Sequence, residues 1–142
     1  MLKLTNPTVD IAIVCSDFDK SLHFYRHCLG LEILMELDIP DDVAIGATLA
    51  PAGFRQVRLQ VGDTLIKLMD IKSPPSSDVN QFKSGVRWLT VFVEDIYQTI
   101  IDLEQRGVTF LSEPVSAPDA AGVVCVRDPD GILIEFVQLE PL

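Results

Sequence analysis

The sequence predicts an α+β fold: two tandem βαβββ modules whose strands curve into a mixed-sheet cup. Three observations lead there. An alternating run that ends in Asp occurs twice, as Val9-Asp10-Ile11-Ala12-Ile13-Val14-Cys15-Ser16-Asp17 and as Arg87-Trp88-Leu89-Thr90-Val91-Phe92-Val93-Glu94-Asp95. Each run leads into a short helical pattern closed by a glycine, Gly30 or Gly107. Each half then ends in a similar strand, Leu65-Ile66-Lys67-Leu68-Met69 or Leu133-Ile134-Glu135-Phe136-Val137. The expected bounds are 1–71 for the first module, 72–85 for a linker and 86–142 for the second module. The repeat pairs residues by position: Asp10 with Trp88, and Lys67 with Glu135.

The first strand is expected over Val9–Cys15, with Ile11, Ile13 and Cys15 on one face and Asp10, Ala12 and Val14 on the other. Asp19 is the expected N-cap of the helix that follows, and Leu22, Tyr25 and Leu29 recur at helical spacing. Gly30 can end that helix in a left-handed conformation. Leu31–Leu37 reads as a second strand and Pro40–Gly53 as a long, mostly apolar loop. Arg55–Val61 and Thr64–Asp70 read as a hairpin turned at Gly62-Asp63. Ser73-Pro74-Pro75-Ser76-Ser77 opens the linker. In the second half Asp95 and Gln98 form a capping-box pattern, with Ile96, Ile100 and Leu103 as the buried stripe. Asp128-Pro129-Asp130-Gly131 is a turn signal between Val123–Arg127 and Ile132–Val137.

Composition narrows the function. Eleven Lys and Arg stand against 21 Asp and Glu, a formal charge of −10. Phosphate backbones and anionic membrane surfaces both select for basic residues, so neither nucleic acid nor membrane is an expected partner. Met1-Leu2-Lys3 is followed by Asn6-Pro7 rather than an apolar stretch, so no signal peptide is expected. Cys15, Cys28 and Cys125 fall within strand and helix patterns and read as reduced thiols, the usage of a cytoplasmic protein. His23 and His27 have the i, i+4 spacing of a helical metal pair. They lie opposite the Leu22–Tyr25–Leu29 stripe and lack the glutamate of a zincin motif, which makes them a solvent-facing pair.

Asp17-Phe18-Asp19-Lys20-Ser21-Leu22-His23-Phe24-Tyr25 with Leu29-Gly30-Leu31 resembles the first helix of the vicinal oxygen chelate superfamily. That group includes glyoxalase I, bleomycin-resistance proteins, extradiol dioxygenases and methylmalonyl-CoA epimerase. Arg127-Asp128-Pro129-Asp130-Gly131-Ile132-Leu133-Ile134-Glu135 resembles its closing hairpin. The resemblance runs from Val9 to Gln138 and implies one glyoxalase-like domain overall. It also implies a small-molecule ligand and a homodimer. In metal-dependent members the first and last strands of each module supply His, Glu or Gln ligands. On this chain those positions are Asp10, Lys67, Trp88 and Glu135. Only Glu135 keeps a usual ligand: Trp88 offers no lone pair, and Lys67 is a cation that competes with a metal. The expectation is therefore no cofactor, with a divalent metal allowed but disfavoured.

Alternation assigns the cup face. Gln56, Arg58 and Gln60 should line it from the third strand, and Lys67 and Met69 from the fourth. Trp88, Thr90 and Phe92, together with Leu133, Glu135 and Val137, should line it in the second module. Asp10, Lys67, Trp88 and Glu135 are expected to converge, with Lys67 paired to one or both carboxylates. Glu135 and Lys67 are the candidate catalytic pair, base and electrophile. Asp10, Gln56, Arg58, Gln60, Trp88, Thr90 and Phe92 are the candidate ligand-binding residues. An ion-paired relic of a lost metal site accounts for the charges equally well, and Trp88 could be plain core instead of a stacking platform. The expected function is metal-independent small-molecule binding of the bleomycin-resistance type. The alternative is a glyoxalase- or epimerase-type lyase or isomerase, with or without a metal, that uses Glu135 as base.

Overall fold

A computed structural model of the chain describes residues 1–77 and 82–140. Residues 78–81, inside the expected linker, and 141–142 lie outside the described part. The chain divides into two compact units, Met1–Ser76 and Ser77–Leu142.

The first unit runs β1 (Ile11–Val14), α1 (Phe18–Leu22), a π-helical turn (His23–Cys28), β2 (Glu32–Ile39), α2 (Asp41–Gly46), β3 (Phe54–Val61) and β4 (Thr64–Asp70). The second runs β5 (Trp88–Phe92), α3 (Ile96–Gln105), β6 (Val115–Ala117), β7 (Ala120–Arg127) and β8 (Leu133–Gln138). Each unit forms a four-stranded sheet of the same order, β1-β4-β3-β2 and β5-β8-β7-β6. In both, the first and last strands pair in parallel and the remaining neighbours are antiparallel. The two βαβββ modules are thus built alike, as the repeat predicts. Among the described residues no helix is long and apolar enough to cross a membrane.

One face of each sheet packs into a core. In the first unit Ile13, Val57, Leu59, Ile66 and Leu68 are buried, as are Phe24 and Tyr25 of the helical segment. Ile134 and Phe136 of β8 are buried with Val124 and Val126 of β7 and with Ile96 and Leu103 of α3. Both glycine stops take left-handed conformations, Gly30 at φ 75° and Gly107 at φ 86°.

Several local expectations are corrected. The N-cap of α1 is Asp17, not Asp19: the Asp17 carboxylate accepts from the Lys20 amide at 3.2 Å. An extended backbone at Asp17 frees its side chain to reach that amide, whereas Asp19 already sits inside the first turn. The helix does not continue as α. Its last turn is π-helical, with the Leu29 amide donating to the Phe24 carbonyl at 2.9 Å. That wider turn buries Phe24, Tyr25 and Cys28 and leaves His23 and His27 exposed, with their ring centroids 5.2 Å apart. At α3 only half of the capping box forms. Asp95 accepts from the Gln98 amide, but the Gln98 side chain turns forward to Asp102 at 2.8 Å.

The largest difference lies in residues 40–53. They hold a helix, α2, rather than a loop throughout. Ala44 is fully buried and forms a cluster with Phe54 and Met69, to which Ile39, Ala50 and Ile71 add partly buried surface. Phe54 and Met69 lie on the sheet face opposite the main core, so α2 covers one end of that face. Met69, expected to line the cup, is consumed by this packing. Asp41 fastens the return of the segment: its Oδ1 accepts from the Gly53 amide at 2.6 Å. A Cβ on Gly53 would stand 2.7 Å from the Ile39 carbonyl oxygen and 3.0 Å from the Asp41 amide nitrogen. Both are backbone atoms and cannot swing aside. Gly53→Ala is therefore expected to destabilise the fold by about 1–3 kcal/mol, the usual cost of forcing extra volume into a packed site. Urea denaturation should show a lower midpoint at an unchanged slope. A midpoint equal to that of the parent would mean that the close approach does not constrain the fold.

Candidate functional site

The registers show how the repeat delivers its polar residues. Lys67 of β4 sits between Ala12 of β1 and Arg58 of β3. Glu135 of β8 sits between Thr90 of β5 and Cys125 of β7. The flanking residues of β4 and β8 are buried on the core side, Ile66 and Leu68 in one unit and Ile134 and Phe136 in the other. Alternation then forces Lys67 and Glu135 onto the opposite face.

In the first unit the Lys67 ammonium lies 3.3 Å from Asp10 Oδ2, both side chains being partly exposed. Asp10 Oδ1 also accepts from the Leu65 amide at 3.3 Å. The expected ion pair between Lys67 and Asp10 is therefore formed. Arg58, opposite Lys67 across the antiparallel pair, donates through Nε to Gln56 Oε1 at 2.7 Å. Gln56 is buried, so its amide orients the Arg58 guanidinium. Gln60 lies exposed toward the other end of β3. Two cations directly opposite each other repel, and Asp10 offsets part of that cost.

In the second unit the polar groups form a relay. The Trp88 indole N–H donates to Thr90 Oγ1 at 3.0 Å, and the Thr90 hydroxyl donates to Glu135 Oε1 at 2.7 Å. Trp88 is 51% exposed and Phe92 is 66% exposed, so Trp88 is not core. Both rings line a cleft of about 500 Å³ together with Thr90, Glu135, Val137, Val123 and Leu139. Its remaining wall comes from Val115, Ser116, Ala117, Asp119 and Ala120. That wall went unread in the sequence because β6 is only three residues long and carries no sustained alternation. The Pro118-Asp119 turn signal behind it was its one visible trace.

Residues 8–136 match the family model of the Glyoxalase/Bleomycin resistance protein/Dioxygenase superfamily, and the chain belongs to that superfamily. A probable lactoylglutathione lyase of Synechocystis is 29% identical over 123 residues, spanning 86% of this chain and 87% of the relative. A glyoxalase family protein from Bacillus cereus superposes with a TM-score of 0.78 at 19% identity, covering 99% of this chain and 97% of the other. TnmS3, an antibiotic binding protein from Streptomyces, superposes with a TM-score of 0.68 at 21% identity, covering 97% of this chain and all of its own. At such identities the superpositions define the fold and leave the activity open.

The donor chemistry at the four metal positions does not suit a transition metal. The Lys67 ammonium already occupies Asp10, and Trp88 offers an N–H instead of a lone pair. Among the described residues no three His, Cys, Asp or Glu side chains group closely enough to hold an ion. Glu135 is left as an acceptor in a partly apolar cleft, and this suits it to receive a proton or a hydrogen-bond donor.

Burial pushes the Cys125 thiol up, and the facing Glu135 carboxylate pushes it the same way, while Arg127 and Arg87 pull it down. A raised thiol pKa means less thiolate at a given pH and slower alkylation. Glu135→Gln removes one of the raising charges, so Cys125 should alkylate faster at a fixed, mildly alkaline pH. Cys15 and Cys28 are buried, so iodoacetamide labelling followed by peptide mass spectrometry isolates the Cys125 rate. An unchanged rate would show that the Glu135 charge does not reach the thiol.

Proposed function

We propose that this chain is a small-molecule-binding protein that works without a metal, in the manner of bleomycin-resistance proteins. The observation that carries this reading is the Lys67–Asp10 ion pair at 3.3 Å. It places a cation where metal-dependent members need a lone pair, and it engages the one carboxylate of that unit's pair of positions. Arg58 and Gln60 in the first unit, and Trp88, Thr90 and Phe92 in the second, are the groups assigned to the ligand. Gln56 serves by holding Arg58. The likeness to an antibiotic binding protein supports this assignment at the level of fold.

Glu135 supports a second reading. It keeps a residue type that metal-dependent members use, and it receives a hydrogen bond from Thr90 that would steady it as a base. In that reading the chain is a lyase or isomerase of the glyoxalase type, and Lys67 is the electrophile that polarises a substrate oxygen. The similarity to a probable lactoylglutathione lyase favours it.

Elemental analysis separates the two. Protein purified without chelator should carry no stoichiometric zinc, nickel, manganese or iron, and added metal should not elicit lactoylglutathione lyase activity. One metal per chain, lost on Glu135→Ala, would overturn the metal-free reading and favour the enzyme.

We also infer that the working form is a cytoplasmic homodimer. The Pro74-Pro75 linker is long enough to let modules pair between chains, and thiols at Cys15, Cys28 and Cys125 fit a reducing compartment. Light scattering should give twice the chain mass; a monomer mass across a wide concentration range would rule the dimer out.

A further inference from the structure

The two histidines of the first unit take no part in the polar sheet faces, yet they are arranged as ligands. His23 and His27 are both exposed, and their ring centroids lie 5.2 Å apart with the planes tilted by 35°. Among the described residues neither imidazole is held in a hydrogen bond or an ion pair. Each neutral ring therefore keeps one nitrogen lone pair for a cation.

The backbone that carries them is fixed. Both lie in the π-helical turn His23–Cys28, an uncommon geometry that recurs at functional sites. Between and beyond them Phe24, Tyr25 and Cys28 are buried, and the Phe24 and Tyr25 rings meet edge to face at 5.0 Å. The Leu29 amide donates to the Phe24 carbonyl at 2.9 Å, and the Leu31 amide to the Tyr25 carbonyl at 3.1 Å. These anchors set the two imidazoles on one face before any ion arrives, so binding does not have to order the chain.

The spacing suits a single ion. Zn–N bonds of about 2.0–2.1 Å put two nitrogens on one ion about 3 Å apart. Rings whose centroids are 5.2 Å apart reach that separation by side-chain rotation alone. Among the described residues no third His, Cys, Asp or Glu side chain joins them, so water completes the coordination and the ion exchanges readily.

We propose that His23 and His27 form a bidentate, exchangeable surface site for a borderline divalent transition metal, zinc or nickel. Imidazole suits these ions, whereas calcium and magnesium prefer oxygen ligands. The net charge of −10 concentrates cations near the surface. Arg26, exposed in the same turn, opposes the ion and keeps the affinity modest, so dilution during purification empties the site. It is independent of the small-molecule-binding reading: it sits on the solvent side of the helical segment, whereas Lys67 stands on the far face of the sheet.

Calorimetric titration of tag-free protein with Ni(II) should give one ion per chain at micromolar affinity. His23→Ala and His27→Ala should each weaken binding about a hundredfold, because either leaves one ligand where the chelate had two. The double variant should lose little beyond either single one. Both side chains are exposed, so neither replacement opens the core. Zn(II) should raise the thermal unfolding midpoint of the parent and not that of the double variant. Glu135→Ala should leave the Ni(II) titration as it is. Equal affinity in the parent and the single variants would overturn the proposal, and so would small additive losses, the mark of two separate one-ligand contacts. An equal rise in midpoint with and without the histidines would place the ion elsewhere. Loss of Ni(II) binding on Glu135→Ala would move it to the metal positions of the superfamily and overturn both this site and the metal-free reading.

Discussion

The polar face of each sheet depends on the register of one parallel strand pair, β1 with β4 in the first unit and β5 with β8 in the second. A strand has only two faces, and one-sided burial chooses between them. Ile66 and Leu68 are buried on one side of β4, and Ile134 and Phe136 on the same side of β8. Sliding either strand by one residue would drive Lys67 or Glu135 into the core and expose two large apolar side chains. Burying each such side chain is worth about 1.5–3 kcal/mol, and an unpaired buried charge costs more again. The hydrophobic residues thus fix the positions of the charged ones without touching any ligand. The parallel partner of each strand then supplies the neighbours, Ala12 beside Lys67 and Thr90 beside Glu135.

The same scaffold position carries opposite charges in the two units, and the surroundings follow suit. Around Lys67 stand Asp10 and Arg58, the latter held by a buried glutamine. Around Glu135 stand a hydroxyl, an indole N–H one step further along, and a thiol. The Lys67–Asp10 pair keeps 24% and 31% of its side-chain surface exposed, so solvent screens it and its contribution to stability is small, about 0–1 kcal/mol. Its consequence is chemical: it neutralises a carboxylate that could otherwise have served as a metal ligand. Glu135 meets the reverse situation. A hydrogen bond from Thr90 orients it and leaves its charge intact.

The fold was legible in the sequence because the repeat and the period-2 alternation report directly on burial, the strongest local signal a strand carries. The sheet face on which Lys67 and Glu135 stand was legible for the same reason, since it follows by elimination from the apolar residues beside them. What escaped reading depends on packing that no local period encodes. Asp41–Gly46 has too few residues for a helical period to emerge, and its Ala44 is buried only because Phe54 and Met69 await it across the sheet. The π-helical turn at His23–Cys28 rests on a single wider hydrogen-bonded step, which leaves the apolar spacing almost unchanged. At Asp17 and Asp19 two residues of the same type competed for one cap, and the backbone conformation decided between them.

α2 also makes the two units differ in what they can receive. On the first sheet it takes Met69 and Phe54 out of the face that bears Lys67 and leaves a short polar row as the accessible part. In the second unit the face bearing Glu135 stays open: Trp88, Phe92, Val115 and Leu139 all keep about half or more of their surface exposed. Exposed aromatic surface of this extent is costly in water unless something covers it part of the time. A duplicated βαβββ unit therefore does not give duplicated chemistry. One copy has the apolar end of its polar face closed by α2 and bears Lys67, Arg58 and Asp10 there, and the other leaves Trp88 and Phe92 exposed beside Glu135. Membership of the superfamily follows from the part the copies share, whereas the chemistry must be sought where they differ.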